Sequence, residues 1–182
     1  MKKGLVFRST GSWYTVESDG VFYACRIKGK LRLKGIKSTN PIAVGDWVLF
    51  EVDRNASEPE GTIVEIEERH NYIVRKSVNL SKQTHIIASN IDQVFLLITL
   101  YNPPTFPAFI DRFLVTAEAY QIPSILVFNK LDTFTPEQKD EIDTMANIYE
   151  NIGYTTLKIS ATERVNISTI ESMMQNLSLI HI

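Results

Sequence analysis

Cysteine, histidine and long apolar stretches are scarce in this sequence. Cys25 is the only cysteine among 182 residues, so an internal disulfide is excluded. The three histidines, His70, His85 and His181, are scattered and form no spacing typical of a zinc site. No apolar run reaches the roughly 20 residues that a membrane-spanning helix needs, and the N-terminus has no signal-peptide core. These absences predict a protein without a metal site or membrane span, in a reducing cytoplasm.

Glycine is also rare, and its spacing excludes one common phosphate-binding loop. The pattern G-x-x-x-x-G-K-[S/T] needs two glycines five positions apart, and no two of the eight glycines are so placed. No aspartate stands three residues before any glycine, which excludes a D-x-x-G motif. The sequence therefore lacks the phosphate and Mg²⁺ segments of an ordinary nucleotide hydrolase, and we assign no catalytic residue and no metal ligand.

The net charge of −2 conceals two oppositely charged halves. Residues 1–85 carry 14 basic and 10 acidic side chains, whereas residues 86–182 carry 5 and 11. Between Gly20 and Gly45 there are six basic residues and no acidic one: Arg26, Lys28, Lys30, Arg32, Lys34 and Lys37. This asymmetry predicts two domains, of which the first contacts a polyanion.

The six basic residues are predicted to belong to a long loop and its flanks, between the third and fourth strands of the first domain. Four aromatic residues surround this loop in the sequence: Trp13, Phe22, Tyr23 and Trp47. Cationic loops beside aromatic groups suit contacts with nucleic-acid backbone and bases, so the six residues are the candidate RNA-binding residues. The alternative is a solvated loop. Most of the four aromatic side chains are expected in the domain core.

Residues 1–72 have the pattern of a small β-barrel. Short β-rich segments alternate with turn signals, and about five strands are expected, at 5–8, 13–16, 21–27, 46–52 and 62–67. Their near-regular spacing favours a closed barrel over a sandwich. An OB-type barrel is the first choice and an SH3-like barrel the alternative. Residues 73–90, which are polar and without strong periodicity, are interpreted as a linker.

Residues 91–182 alternate between strand and helix patterns, which predicts an α/β domain with parallel strands. Strands are predicted at 93–100, 124–128 and 155–159. The first helix opens at Pro107, with an apolar stripe that runs from Phe106 to Tyr120. The second opens on a capping box, Thr135 to Gln138, and stops at Gly153. A weaker third helix follows the last strand.

The second strand of this domain ends in Asn129-Lys130-Leu131-Asp132. The apolar run before it indicates a strand buried on both faces, and polar side chains at the carboxyl end of such a strand lie where open α/β sheets bind ligands. The Asp132 carboxylate can accept both N1–H and the 2-amino group of guanine, a pair of donors that adenine does not offer. Asn129 can bond the far edge of the base, and the stem of Lys130 can lie along the ring. The alternative is a helix start at which Asp132 merely caps.

Ser160-Ala161 follows the third strand as the N-K-x-D residues follow the second. A small residue at this place lets a backbone N–H approach a base oxygen closely. Alone the dipeptide has no value as a signal, but it gains specificity from lying one strand–helix unit after N-K-x-D. The predicted guanine-binding residues are therefore Asn129, Lys130, Asp132, Ser160 and Ala161.

A basic barrel followed directly by base-recognition motifs resembles the RsgA (YjeQ) family of circularly permuted GTPases. Four stretches look like recurrent stretches of that family: residues 44–48 in the barrel, 88–94, 110–114 and 128–132. The resemblance covers essentially the whole chain but only the front of a family member, whose phosphate loop, switches and zinc-binding region would follow. We therefore expect a truncated chain that is inactive alone.

The resemblance implies a β plus α/β fold, in which a small OB-type barrel precedes an incomplete parallel-sheet GTPase domain without its phosphate loop. It implies a GTP hydrolase that binds GTP and GDP through N-K-x-D, contacts ribosomal RNA through the barrel and acts in maturation of the small ribosomal subunit. Mg²⁺ and Zn²⁺ are expected only in a full-length family member. The alternative is an RNA-binding module with a non-catalytic α/β scaffold. The open edge of an incomplete sheet also predicts self-association.

Overall fold

The computed structural model of the chain describes residues 1–27, 41–76 and 84–177. It divides into two compact units, one containing Met1–Ile91 and the other beginning at Asp92. The domain boundaries expected from the sequence, at residues 72 and 90, stay a prediction. Each unit has its own hydrophobic core.

The first unit contains a closed five-stranded barrel. Its strands are β1 (Lys2–Thr10), β2 (Trp13–Ser18), β3 (Val21–Ile27), β4 (Trp47–Val52) and β5 (Glu60–Ile66). The order around the barrel is β1-β2-β3-β5-β4, with β4 pairing back to β1 and β3 running parallel to β5. This is the Greek-key order of an OB-type barrel, so the first choice is confirmed over the SH3-like alternative.

The expectation that most aromatic residues near the basic run lie in the core is wrong. Tyr23 is buried, but Trp13, Phe22 and Trp47 are 38%, 54% and 39% exposed. Successive side chains of a strand point to opposite faces, and each of the three exposed rings directly precedes a buried residue of the same strand. Register, which composition does not reveal, places these rings on the outer surface of the barrel.

The segment interpreted as a linker contains two further strands. β6 (Tyr72–Lys76) and β7 (Thr84–Ser89) pair antiparallel, and Ile73, Ile86 and Ala88 are buried. At the open end of this pair the Asn71 side chain donates to the Ile91 carbonyl at 2.8 Å and accepts from the Ile91 N–H at 2.6 Å. The alternation of Ile73 with its neighbours is too short to stand out against the surrounding polar residues, so the sequence did not predict this sheet.

A buried ion pair joins the residue before β4 to the segment between β5 and β6. Arg69 donates from Nε and Nη2 to the two carboxylate oxygens of Asp46 at 2.6 and 2.5 Å, and both side chains are nearly inaccessible. The Ala43 N–H and the Ser89 hydroxyl also donate to the Asp46 carboxylate, at 2.8 and 2.6 Å. Gly45 lies between with φ of +89°, and a Cβ there would come within 2.0 Å of the Ser89 carbonyl oxygen. The packing therefore requires both the glycine and the carboxylate of this stretch.

The second unit is an α/β sheet with helices, as predicted. Its elements are β8 (Val94–Ile98), α1 (Pro107–Ala119), β9 (Ser124–Phe128), α2 (Pro136–Asn151), β10 (Thr155–Lys158) and α3 (Ile167–Met173). The three strands are parallel, with β9 between β8 and β10. Leu126 and Phe128 pack in the core that includes α1 and α2, whereas Ile125 and Val127 pack on the side of α3. The prediction that β9 is buried on both faces is confirmed.

The two long helices follow their sequence signals with one difference. The capping box of α2 is present: the Gln138 N–H donates to Thr135 Oγ1, and the Thr135 N–H donates to Gln138 Oε1. In α1, Ile110 and Leu114 are buried as predicted, but Phe106 and Phe109 are 68% and 49% exposed. Phe106 is the extended N-cap residue, so it does not continue the helical stripe.

Helices α1 and α2 are joined by a hydrogen bond from the Tyr149 hydroxyl to Asp111 Oδ1 at 2.9 Å. Burial, and then this hydrogen bond, raise the pKa of Tyr149 to about 12. Asp111 belongs to one of the stretches that carry the family resemblance, and the contact gives it a structural role. Within the described part of the chain, no helix is long and apolar enough to cross a membrane.

We expect Arg69→Ala to lower the free energy of unfolding of the first unit by about 3–5 kcal/mol, because Asp46 would remain buried without its charged partner. Both tryptophans of the chain, Trp13 and Trp47, lie in the barrel, so tryptophan fluorescence during urea unfolding reports this unit. The matched control is Glu67→Ala, which removes the exposed pair with Lys3 (2.7 Å) but keeps Lys3 over the Trp47 ring, and should cost about 1 kcal/mol or less. Equal losses in the two variants would contradict the assigned role of the buried pair.

Candidate functional site

The loop that follows β9 is held by backbone hydrogen bonds to both neighbouring strands. The Asn129 N–H donates to the carbonyl of Ile98 at the end of β8, at 2.9 Å. On the other side, the Ile159 N–H donates to the Phe128 carbonyl at 2.8 Å, and the Leu131 N–H donates to the Ile159 carbonyl at 3.2 Å. The N-K-x-D residues therefore begin where the parallel ladder ends, at the edge to which all three carboxyl termini point.

Lys130 makes the turn that follows. Its backbone is in the left-handed region, with φ of 71° and ψ of 31°, which costs a non-glycine residue about 1–2 kcal/mol. The N–H and Oγ1 of Thr133 both donate to the Lys130 carbonyl, at 3.0 and 2.9 Å, and close the short 3₁₀ turn Leu131–Thr133. The Lys130 ammonium donates to the carbonyl of Asn102, in the loop after β8. Hydrogen bonds at its backbone carbonyl and at its side-chain ammonium therefore both hold Lys130 in this turn.

The Asn129 side chain connects its own loop to the loop after β10. Its Oδ1 accepts the N–H of Ala161 at 3.2 Å and the N–H of Lys130 at 2.7 Å. Because two backbone N–H groups donate to the same side-chain oxygen, the orientation of the amide is defined, and its NH₂ group points away from these two donors. The residue therefore has a fixed orientation at the edge of the sheet.

Ser160 positions the Asp132 carboxylate. Its hydroxyl donates to Asp132 Oδ1 at 2.5 Å, and its Oγ accepts the N–H of Glu163 at 3.0 Å. Ser160 is buried, whereas Asp132 is exposed. A hydroxyl has one proton to donate, and here the Glu163 N–H bond directs that proton to the carboxylate. The result is an oriented, solvent-facing carboxylate that can accept hydrogen bonds from a ligand.

The structure brings the five predicted guanine-site residues together. Asn129 bonds Ala161, Asp132 bonds Ser160, and Lys130 lies between them in the same loop. One detail differs from expectation, because the Ala161 N–H, which we expected to face a base oxygen, donates to Asn129. Sequence reasoning also missed two participants, the Asn102 carbonyl and the Glu163 N–H. The break after β8 could have signalled Asn102, because the loop after each parallel strand emerges at the same edge.

Of the six candidate RNA-binding residues, the structure describes Arg26. Arg26 is exposed on β3, and its guanidinium carbon lies 3.8 Å from the centroid of the Trp13 ring. Lys28, Lys30, Arg32, Lys34 and Lys37 lie outside the described residues. Among residues 1–27, 41–76 and 84–177, no group of three or more histidine, cysteine, aspartate or glutamate side chains could hold a metal ion. Cys25 is buried in the barrel, and burial raises the pKa of its thiol to about 12.

Two solved structures are similar to the whole described architecture. The crystal structure of YloQ, a circularly permuted GTPase, matches with a TM-score of 0.70 and 28% identity, over 97% of this chain and 57% of that one. YjeQ from Thermotoga maritima matches with a TM-score of 0.77 and 28% identity, over 97% of this chain and 58% of its own. The chain therefore has the fold of circularly permuted GTPases over almost its whole length.

Sequence comparisons identify the family. The model of the RsgA N-terminal domain matches residues 3–63, and that of the RsgA GTPase domain matches residues 66–182. This chain is 58% identical to the small ribosomal subunit biogenesis GTPase RsgA of Christiangramia forsetii over 98% of its own length and 57% of that protein. It is 61% identical to the protein of the same name from Flavobacterium johnsoniae, over 94% of this chain and 53% of that one. The chain belongs to the RsgA family of GTPases.

Family membership favours a nucleotide-binding role of the α/β unit over a purely scaffolding one. The chain spans little more than half the length of these relatives. The roles of the individual site residues and the expected truncation stay predictions.

For Asn129→Ala we expect faster hydrogen exchange at the amides of Ala161 and Lys130, about tenfold if each loses about 1.4 kcal/mol of protection with its acceptor. Exchange followed by NMR measures each amide separately. Thr133→Ala is the matched control, because it removes a side-chain bond of the same loop and leaves Asn129 in place. Unchanged exchange at Ala161 in the Asn129 variant would contradict the connection between the two loops.

Proposed function

We propose that this chain binds guanine nucleotides at the carboxyl edge of its parallel sheet. Asn129, Lys130 and Asp132 recognise the base, and Ser160 and Ala161 support them. The observation that carries the proposal is the pairing of a buried Ser160 hydroxyl with an exposed Asp132 carboxylate. A helix-capping role does not account for this pair, since the cap of α2 is provided by Thr135.

Each residue has a chemical role in base recognition. The Asp132 carboxylate accepts N1–H and the 2-amino group of guanine, which is a charge-assisted, two-point interaction. The Asn129 amide, whose oxygen is held by the Ala161 and Lys130 N–H groups, directs its NH₂ toward acceptors on the far edge of the base. The methylene stem of Lys130 covers one face of the ring while its ammonium is held by the Asn102 carbonyl.

The proposal extends to the ribosome. The relatives of this chain are named as GTPases of small ribosomal subunit biogenesis, and we propose the same process and the same partner here. Ribosomal RNA would be contacted by the barrel through the predicted basic residues, Arg26, Lys28, Lys30, Arg32, Lys34 and Lys37. The positive charge of residues 1–85 and the exposed Arg26 support this assignment.

Hydrolysis requires more than base recognition. Phosphoryl transfer is catalysed mainly by positioning and neutralising the phosphates, and the 182 residues contain no G-x-x-x-x-G-K-[S/T] loop. Among the described residues no group of three or more histidine, cysteine, aspartate or glutamate side chains could hold a metal ion, and we assign no residue to Mg²⁺ or Zn²⁺. The base-recognition residues then contribute nucleotide selectivity, and not turnover.

Self-association is the remaining part of the proposal. Within the described sheet, β8 and β10 lie at the two edges, and Leu97 of β8 is 59% exposed. Backbone groups at a sheet edge can pair with a strand of another chain, which is the physical basis for this expectation.

The first test exchanges the base specificity. Asp132→Asn should weaken GDP binding roughly 10- to 100-fold and strengthen xanthosine diphosphate binding, because xanthine presents an oxygen where guanine presents the 2-amino group. Calorimetry or a fluorescent nucleotide analogue measures both affinities. Asp140→Asn is the matched control, since it changes an exposed carboxylate on α2 by the same atoms. If both variants bind the two nucleotides as the unmodified chain does, Asp132 is not the residue that recognises the base.

The second test concerns turnover. We expect no GTP hydrolysis above background by the 182-residue chain, with or without purified small ribosomal subunits, because the phosphates find no binding loop. Release of inorganic phosphate measures it. Turnover stimulated by the subunits would mean that phosphate-binding groups exist among residues to which we assign no such role.

A further inference from the structure

The outer face of β1, β2 and β3 carries exposed aromatic rings beside arginines. Phe7 and Phe22 are 41% and 54% exposed, and their rings meet edge to face with centroids 5.5 Å apart. Large apolar side chains normally lie in the core of a barrel, where a ring of this size is shielded from water. Two of them in contact on the outer surface form an apolar platform whose outer parts face solvent.

A β-bulge in β1 creates this platform. The register of β1 with β2 shifts between Val6 and Arg8, so Phe7 is the extra residue of the strand. Val6 is buried, whereas Phe7 and Arg8 are both exposed. Bulges redirect a side chain and bend the strand locally. The bulge therefore gives Phe7 its place against Phe22 and sets Arg8 immediately beside it.

A second platform lies further along the same strands. The Arg26 guanidinium lies over the Trp13 ring at 3.8 Å, and Trp13 is 38% exposed. Phe22 and Arg26 are four residues apart on β3, which corresponds to about 13 Å along an extended strand. Thr15 and Ala24, a directly paired couple between the two platforms, have small side chains. The face thus has two groups with exposed aromatic rings, an edge-to-face pair of phenylalanines and an arginine over a tryptophan, separated by small side chains.

We propose that this aromatic face, formed by Phe7, Phe22, Trp13 and Arg26 with Arg8, binds unpaired nucleotides of RNA. One base stacks on the Phe7–Phe22 platform and a second on the Arg26–Trp13 pair. Aromatic rings and guanidinium planes stack on bases of any sequence, and they reach bases only where those are not already stacked in a helix. The inference rests on the proposed binding of RNA by the barrel and specifies the class of RNA and the residues that recognise it.

The charges of the face favour RNA over an apolar protein surface. Arg8 and Arg26 are exposed and lie next to the two platforms, where they can neutralise phosphates of a strand that runs between them. Glu17 is the one acidic residue in the sequences of β1, β2 and β3, and its carboxylate accepts the Gly20 N–H at 2.6 Å in the turn after β2. The face therefore combines stacking groups with positive charge, the two features that binding sites for single-stranded nucleic acid share.

The test uses the 182-residue chain with Trp47→Phe, which leaves Trp13 as the only fluorophore of its kind. An eight-nucleotide single-stranded RNA of mixed sequence should quench Trp13 and bind more tightly than the same strand annealed to its complement. Phe7→Ala with Phe22→Ala should weaken binding of the single strand about tenfold or more. The dependence of affinity on salt should stay the same, because no cation is removed.

Three control variants distinguish an effect on stacking from an effect on folding or on charge. Phe109→Ala removes an equally exposed ring from the second unit and should leave RNA binding unchanged. Phe7→Leu with Phe22→Leu keeps apolar contacts in the barrel but removes the flat rings, so it should weaken binding even if the alanine pair fails to fold. Lys30→Ala with Lys34→Ala, which changes no residue of the aromatic face, should weaken binding and also reduce its dependence on salt.

The outcomes distinguish this inference from the function on which it rests. If the unmodified chain binds neither RNA, both the proposed RNA contact and the aromatic face fail. If the basic variant weakens binding and both aromatic variants do not, the barrel binds RNA elsewhere and only the present inference fails. Equal affinity for single and paired RNA would also overturn it. So would light scattering that shows a dimer which the Phe7 and Phe22 substitutions dissociate, since the face would then be occupied by a second copy.

Discussion

The parallel pairing of β9 with β8 and β10 is the constraint on which the candidate nucleotide site depends. Parallel strands in register end at one edge, and the hydrogen bonds from Asn129 to Ile98 and from Ile159 to Phe128 show that the ladder continues to the last residue of β9. Residues that are about thirty positions apart in the sequence thereby become neighbours. Asp132 then needs only one further contact, with Ser160, to acquire a fixed orientation.

The barrel obeys a different constraint, the alternation of side chains across a strand. Closure of the β1-β2-β3-β5-β4 barrel leaves a single interior, and one residue of each consecutive pair has to face outward. Phe22 and Tyr23 are chemically similar, yet Phe22 is exposed and Tyr23 is buried, because neighbouring residues of a strand point to opposite sides of the sheet. The bulge at Phe7 is a local exception within β1, since it leaves two successive side chains, Phe7 and Arg8, exposed.

These two constraints explain how far the sequence could predict the molecule. Local sequence patterns predicted three features: the α/β order, the capping box of α2 and the burial of β9 on both faces. They could do so because the spacing of apolar residues and the capping residues each involve only a few neighbouring positions. The strand order of the OB-type barrel depends on which strands pair with each other. The spacing of the predicted strands favours this order but does not determine it. The bond between Lys130 and the Asn102 carbonyl joins segments 28 residues apart, which a local pattern does not reveal. The hairpin of β6 and β7, the exposure of Trp13 and the bond of the Glu163 N–H to Ser160 are local, but their sequence patterns are too short to predict the facing of a strand or a single hydrogen bond. Nothing in the structure explains the exposure of Phe109.

The positions that break local rules are also those to which we assign binding. Lys130 adopts a left-handed backbone that glycine would adopt without strain, and the carbonyl bonds from Thr133 offset that cost while a long side chain is retained. Phe7, Phe22 and Trp13 leave apolar rings partly in water although the barrel interior does hold aromatic side chains, namely Tyr14, Tyr23 and Phe50. Local strain and exposed apolar area both lower stability, so a fold keeps them where another requirement opposes their loss. We assign that requirement to ligand binding, by the Lys130 side chain at the edge of the sheet and by the exposed rings on the outer face of the barrel.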